Sequence, residues 1–368
     1  MAATANQATT VLVTGASGFI ASHCIRLLLE EGYKVRGTVR SLSDAKKVAP
    51  LYQLTPRAKD NLQLIEADLV DPESWPAAVE GCTFVLHVAS PFPGAMPADE
   101  QVLIKPAVEG TLNVLRACAA AEPRTVKRVV LTSSVAAVAG QDVPDYTKSY
   151  SEQDWTDLTG TVAAYQKSKT LAEQAAWKFL EELPDSSKLE LAAINPSYVM
   201  GPICHGSVGT SQELIGRLMR REVPALPHIG MEMCDVRDVA LAHVRAMTLP
   251  DANGQRFIIN TGGMWFRDVA LVLEREFKHQ GYNIPTMMAP KLFVSIAACF
   301  DKTLHSVMPR WGKQLTFDNT KMRNILKIEP TSREETVIEM AHSMVDHGLV
   351  PRTKDYRGRT LAAGRRVE

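Results

Sequence analysis

The sequence predicts an α/β fold: a doubly wound parallel sheet followed by a smaller, irregular C-terminal region. Three observations predict it. Short apolar runs alternate with helical patterns through the first half of the chain. A glycine-bearing turn joins the first apolar run to the first helix. After Pro196 the alternation is lost, and Pro, Gly and Met become frequent. Alternation of this kind buries a parallel sheet under helices on both faces.

The elements follow in order. Thr10 to Thr14 reads as a buried strand. Phe19 to Glu31 reads as a helix, because Ile20, Cys24, Leu27 and Leu28 fall at helical spacing, and Gly32 stands where a helix end expects glycine. Lys34 to Val39, Leu62 to Ala67, Thr83 to Val88, Lys127 to Ser133 and Leu189 to Asn195 read as further strands. Helical stretches lie around Val102 to Ala121 and Thr161 to Leu183, and Arg256 to Asn260 reads as one late strand. The expected division is a sheet domain over 9–195, joined by about 233–262, and a substrate-binding region over 196–232 and 263–350. Residues 351–368 are charged and are expected as a loose tail.

Composition sets the broad class. The chain has 368 residues, of which 45% are hydrophobic and 22% charged, enough to bury a large core. The formal net charge is zero, so nothing global attracts nucleic acid or an anionic membrane. The six cysteines, at 24, 82, 118, 204, 234 and 299, form no Cys-x-x-Cys pair and read as reduced core residues. A Cys82–Cys118 disulfide does not follow from spacing. Met1 to Thr9 has neither the basic nor the apolar part of a signal peptide. The run Leu292 to Phe300 is too short to span a bilayer. The expected partner is a small molecule, the expected location is the cytoplasm, and the chain is expected as a monomer or homodimer. No Cys/His cluster has metal-ligand spacing.

The turn after the first strand runs Thr14-Gly15-Ala16-Ser17-Gly18-Phe19-Ile20-Ala21. Glycines there let the backbone approach a pyrophosphate, and the helix N-terminus offers free N–H groups and the positive end of its dipole. Gly15, Ser17, Gly18, Phe19 and Ile20 are therefore candidate cofactor contacts. An NAD site places an acidic residue near the end of the second strand, to hold the ribose 2′-hydroxyl. This chain has Arg40 there, with Lys46 and Lys47 soon after. A guanidinium suits a 2′-phosphate, so NADP(H) is expected over NAD(H). Asp68-Leu69 follows the third strand, where Asp68 is either an adenine contact or a helix N-cap.

Of the eight tyrosines, only Tyr165 has a lysine four residues on, at Lys169. On a helix that spacing places both side chains on one face. An ammonium beside a phenol favours the phenolate, which suits a general acid–base near neutral pH. The strand Lys127 to Ser133 ends in hydroxyls, Thr132-Ser133-Ser134, and ligands of open parallel sheets bind at such carboxyl ends. One of Ser133 and Ser134 is expected to orient a substrate carbonyl.

With these residues in view, the chain resembles an extended short-chain dehydrogenase/reductase. More narrowly it resembles the dihydroflavonol reductase and cinnamoyl-CoA reductase branch. The likeness rests on Thr14 to Ile20, Val35 to Arg40, Leu86 to Pro91, Thr132 to Ser134, Tyr165-x-x-x-Lys169, Ser168 to Trp177 and Asn195 to Pro202. It implies a Rossmann-type sheet, a catalytic set of Ser134, Tyr165 and Lys169, and NADPH-dependent reduction of an aldehyde or ketone. It further implies that Val88, Ala89, Ser90 and Thr132 line the cofactor. Pro196, Val199 and Ser211 would then close over the nicotinamide end, and Lys46 or Lys47 would meet the 2′-phosphate. Two positions depart from the branch. Ala139 stands where dihydroflavonol reductases often carry Asn, and Thr161-Val162-Ala163-Ala164 replaces the aromatic, cysteine-bearing run of cinnamoyl-CoA reductases. Neither plant substrate is implied.

Other signals are weaker. His87 reads as a packed residue beside the cofactor and His205 as part of a pocket wall. Asp235 to Ala240 reads as a structural corner leading into a helix, and Met231 to Met233 as core or pocket lining. Two alternatives compete with a reductase. A sugar-nucleotide epimerase or dehydratase would keep NAD bound and want an acid in place of Arg40. A non-catalytic nucleotide sensor would not need Ser134, Tyr165 and Lys169 together.

Overall fold

A computed structural model describes residues 6–91, 99–206, 209–298 and 308–359. Residues 1–5 and 360–368, and Cys299 and Phe300 of the late apolar run, lie outside the described residues. The chain divides into two compact units. The first comprises Met1–Ser197, Val236–Asn260 and Thr316–Pro330. The second comprises Tyr198–Asp235, Thr261–Leu315 and Thr331–Glu368. The expected division left 316–330 in the substrate region, whereas this segment packs in the first unit.

The first unit is built on seven strands: β1 (Thr10–Val13), β2 (Lys34–Val39), β3 (Leu62–Glu66), β4 (Phe84–His87), β5 (Arg128–Thr132), β7 (Glu190–Pro196) and β10 (Gln255–Ile259). Two further strands of this unit, β6 (Ser149–Tyr150) and β12 (Thr316–Phe317), pair separately. The large sheet runs β10-β7-β5-β4-β1-β2-β3 and every pairing is parallel. From β1 the chain winds one way to β2 and β3, then the other way from β4. The crevice at such a reversal, at the carboxyl ends of β1 and β4, is where this architecture binds ligands.

Near-continuous apolar runs form β1, β4 and β5, which are buried on both faces, whereas the edge strand β3 alternates buried Leu62 and Leu64 with exposed Gln63 and Glu66. Leu12, Val85, Val129, Leu131 and Leu191 gather with Val114, Leu115, Cys118 and Ala176 in one core cluster. The period of two turns Val11, Val13, Leu86 and Val130 to the opposite face, and all four are buried. Helices Gln101–Ala120 and Ala164–Glu181 pack against each other, as do Phe19–Glu30 and Val236–Thr248. Cys82 and Cys118 share the core as free thiols, and burial pushes both upward in pKa. Gly32, with φ +88°, turns the chain out of the first helix as expected.

The second unit holds a three-stranded sheet that hydropathy alone did not reveal. Its strands β8 (Tyr198–Met200), β9 (Gly230–Asp235) and β11 (Gly262–Trp265) are ordered β11-β9-β8. Met231 to Met233 lie within β9. The corner at Asp235 ends β9, and its carboxylate accepts a hydrogen bond from the Thr336 hydroxyl at 2.7 Å. The segment 351–359, expected as a loose tail, is held in this unit. The Tyr356 hydroxyl lies 3.0 Å from His342 Nδ1, and Arg352 pairs with Asp346 at 2.8 Å. Among the described residues, no helix is long and apolar enough to cross a membrane, and no cluster of His, Cys, Asp or Glu could hold a metal ion.

Candidate active site

The glycine turn is clamped from both sides. The Gly15 N–H donates to the Thr38 hydroxyl at 3.0 Å, and the Ala16 N–H donates to the Thr38 carbonyl at 2.8 Å. On the other side the Thr14 hydroxyl accepts from the Ala89 N–H at 2.9 Å and meets His87 Nδ1 at 2.9 Å. Gly15 has φ +67°, and a Cβ there would stand 3.0 Å from the Cβ of Ala89. Close approach and left-handed backbone together require glycine. Gly37 makes room for the turn from β2, since a Cβ there would lie 2.9 Å from both Ala16 Cβ and Leu64 Cδ2.

Gly18 caps the Phe19–Glu30 helix with no side-chain hydrogen bond, and the first turn carries no acidic residue. The N–H groups of that turn have no intrahelical acceptor. Ser17, Gly18, Phe19 and Ile20 thus surround an uncapped, positive helix end at the sheet reversal, which fits a dinucleotide pyrophosphate.

Arg40 is exposed just past β2 and enters no ion pair among the described residues. Lys46 and Lys47 are exposed on the short helix Ala45–Val48. Lys47 is paired with Asp44 at 3.1 Å, while Lys46 has no such pair among the described residues. Asp68 accepts a hydrogen bond from the Val70 N–H at 3.1 Å, and Leu69 packs where a Cβ on Gly110 would approach to 2.9 Å. The nearby helical cap is Asp71, which accepts from the Glu73 N–H. Val88, Ala89 and Ser90 follow β4 at the same edge, all half-buried.

The catalytic candidates meet one strand further on. Ser134 leaves β5, and the Ser133 and Val135 N–H groups donate to Ile194 and Pro196 carbonyls at 2.7 and 3.0 Å. These bonds pin the strand end to β7. The Ser134 hydroxyl accepts from the Ala136 N–H at 3.1 Å and is hydrogen-bonded to Tyr165. Tyr165, Lys169 and Glu173 occupy successive turns of one face of the Ala164–Glu181 helix. Lys169 is only 8% exposed and its ammonium donates to the Thr132 carbonyl at 3.3 Å.

Charge at this site differs from the sequence expectation. The Tyr165 phenol lies above its ordinary pKa, because burial penalises phenolate and the Ser134 hydrogen bond offsets this only in part. Lys169 is itself lowered to about 8: burial disfavours the ammonium, and Glu173 opposes that effect. Its ammonium is turned to Thr132. His87 is buried and pushed down to about 3 by burial and by the Lys169 charge, so it is neutral. Its Nε2 has no hydrogen-bond partner among the described residues.

Thr132, expected to line the cofactor, has its hydroxyl committed elsewhere. His243 Nδ1 lies 2.7 Å from the Val239 carbonyl and must donate to it. His243 Nε2 is then an acceptor, and the Thr132 hydroxyl donates to it at 2.6 Å. Pro196 ends β7, while Val199 and Ser211 belong to the second unit, where Ser211 is hydrogen-bonded to Tyr198. His205 is also in that unit, buried, with Nε2 unpartnered among the described residues.

Two residues of the site were missed in the sequence. Glu173 is fully buried, and both its oxygens are bound by Arg256, at 2.6 and 3.3 Å. Asn195 Nδ2 donates to Glu173 at 2.8 Å and to the Ser134 carbonyl at 3.2 Å. A usable signal was present: an arginine inside a strand read as buried must find an anion.

Comparison with known proteins agrees with this architecture. Residues 11–262 match the family model described as the NAD dependent epimerase/dehydratase family. The chain is 40% identical over 258 residues to a cinnamoyl-CoA reductase of Medicago truncatula, covering 69% of this chain and 77% of that protein. It is similar to the solved structure of Gre2 from Candida albicans in complex with NADPH, with TM-score 0.77 and 30% identity, covering 92% of this chain and 99% of the other. It is likewise similar to the yeast methylglyoxal/isovaleraldehyde reductase Gre2 complexed with NADPH, with TM-score 0.76, 31% identity and the same coverage. The family match spans the glycine turn, the strand-end serines, the tyrosine–lysine helix and β10 alike, so the chain belongs to the NAD dependent epimerase/dehydratase family, among the extended short-chain dehydrogenases/reductases.

Proposed function

We propose that this protein is an NADPH-dependent reductase of small or aromatic aldehydes and ketones. The observation that carries the reading is the convergence of Ser134, Tyr165 and Lys169 at the carboxyl edge of β5, two strands from β1 and its glycine turn. The similarity to reductases solved with NADPH supports it. Arg40 and Lys46, which has no ion pair among the described residues, are two cations suited to a 2′-phosphate, and an enzyme retaining NAD would call for an acid in place of Arg40. Bound here, NADPH would supply hydride to the carbonyl carbon.

The chain's own residues supply position, field and a proton. Ser134 and Tyr165 both present hydroxyls to the substrate oxygen. The raised pKa of Tyr165 keeps it protonated, as a proton donor must be before the carbonyl is reduced. Lys169, cationic below about pH 8, favours the phenolate that remains after the proton has left. Ser134 holds the oxygen while charge develops on it.

The reading is tested by following NADPH absorbance with aliphatic and aromatic aldehydes, ketones and flavanones. Turnover with at least one carbonyl is expected, and Tyr165→Phe should lower it by about 10²–10⁴-fold. An inert panel, or full activity in Tyr165→Phe, would overturn the assignment.

A further inference from the structure

We propose that Glu173 is a positioning residue for the Tyr165–Lys169 pair: it ties the ends of β5, β7 and β10 to the catalytic helix and keeps Lys169 charged from one turn away. Its carboxylate is fully buried and accepts from five donor groups. Arg256 Nε and Trp177 Nε1 reach Oε1 at 2.6 and 3.3 Å. The Ser133 hydroxyl, Asn195 Nδ2 and Arg256 Nη2 reach Oε2 at 2.5, 2.8 and 3.3 Å. Those donors come from four elements, and two of them neighbour Ser134 directly. Ser133 precedes it in the chain, and Asn195 holds its carbonyl.

A stability role alone accounts poorly for this arrangement. A buried ion pair seldom stabilises more than an apolar pair of the same shape. Here the pair lies beside a third buried charge. Lys169 and Arg256 are both cationic and both less than a tenth exposed, and Glu173 is the anion common to them. Arg256 is held in turn by the carbonyls of Glu152 and Asp154, at 2.8 and 2.6 Å, and by the Trp155 ring 3.8 Å away. It is therefore fixed in place as a counter-ion.

Among the described residues, the other groups facing Lys169 supply no negative charge. On its own helix Tyr165 is protonated. On β4 His87 is neutral. Beyond Thr132, His243 is pushed down to about 4 by burial and is also neutral. Glu173 is thus the anion that opposes the burial of the Lys169 ammonium. Without it, Lys169 would share a low-dielectric site with the Arg256 cation and release its proton at lower pH.

The turnover part of the test rests on the reductase reading, but its first measurement does not. Protein labelled with ¹³C at lysine Cε is titrated by NMR, with the Lys169 signal assigned by its loss in Lys169→Met. In Glu173→Gln the Lys169 titration should move down by at least one pH unit. With an active carbonyl substrate, the alkaline limb of kcat should move down alongside it, with KM changed less than threefold. Ser133→Ala, which removes one donor from Oε2 and leaves the anion in place, should move the Lys169 titration upward, and it serves if Glu173→Gln does not fold. An unmoved Lys169 titration in the folded variant, or a lower kcat with an unmoved pH limb, would reduce Glu173 to a structural strut and overturn the proposal. Absence of turnover in the wild type would count against the reductase reading and leave the NMR result to decide this one.

Discussion

Lys169→Met should make the protein more stable at neutral pH while abolishing its chemistry. In the folded chain burial lowers the Lys169 pKa from 10.5 to about 8. A shift of that size corresponds to about 3 kcal/mol of penalty for holding the ammonium in the fold, at roughly 1.4 kcal/mol per unit. Methionine has a similar length and carries no such penalty. Its cost is the hydrogen bond to the Thr132 carbonyl, about 1 kcal/mol, and Glu173 keeps Arg256, Ser133 and Asn195 as partners. The net expectation is a gain of about 1–2 kcal/mol at pH 7. The pH dependence follows from the sign of the shift. The folded pKa lies below the unfolded one, so between about pH 8 and 10.5 the unfolded chain binds more protons and wild-type stability rises with pH. The advantage of the variant is therefore full below about pH 8 and gone above about 10.5. Urea denaturation of both proteins without cofactor, at pH values spanning that window, reads the difference. A variant less stable than wild type at neutral pH, or a gap that does not close with rising pH, would show that Lys169 carries no desolvation strain.

Two more outcomes follow. Arg40→Ser should weaken NADPH binding by roughly 10- to 150-fold, corresponding to about 1.5–3 kcal/mol for a charge-assisted contact, and leave NADH binding unchanged; calorimetric titration with both cofactors checks this, and equal losses would remove Arg40 from the 2′-phosphate site. Gly37→Ala should cost about 1–3 kcal/mol of stability and loosen cofactor binding, because the added methyl meets Ala16 and Leu64 at 2.9 Å; thermal melts with and without NADPH measure both, and an unshifted melt would contradict the packing.

The sheet was legible because its strands are written as short apolar-rich runs, near-continuous at the centre of the sheet and mixed with polar residues in β2 and β3. Seven such runs and the glycine turn led to seven parallel strands and the reversal between β1 and β4. The small β11-β9-β8 sheet was not legible: Gly262 to Trp265 and Tyr198 to Met200 are too short and mixed to show a period. Tyr165 and Lys169 could be paired in the sequence because helical spacing is local. Glu173 and Arg256 could not be paired there, since they stand 83 residues apart and meet only after β10 has joined β7. The sign of the Tyr165 shift was misread for a related reason. Spacing says which charges are neighbours and says nothing of how deeply both are buried.

The first unit closes with its own late segment, and this constrains how the protein is made. β6 pairs with β12, so Ser149 and Tyr150 wait for Thr316 and Phe317. β10, the edge strand that brings Arg256 to Glu173, is also synthesised long after β7. At translation rates of about 5–20 residues per second, the ribosome needs roughly 10–30 s to travel from β6 to β12. Within that interval, from the completion of β7 until β10 follows, six of the seven strands are made while Glu173 lacks its counter-ion. A nascent chain stalled before β10 would hold the tyrosine, the lysine and the glycine turn, yet would lack the cation that balances the fully buried Glu173 carboxylate.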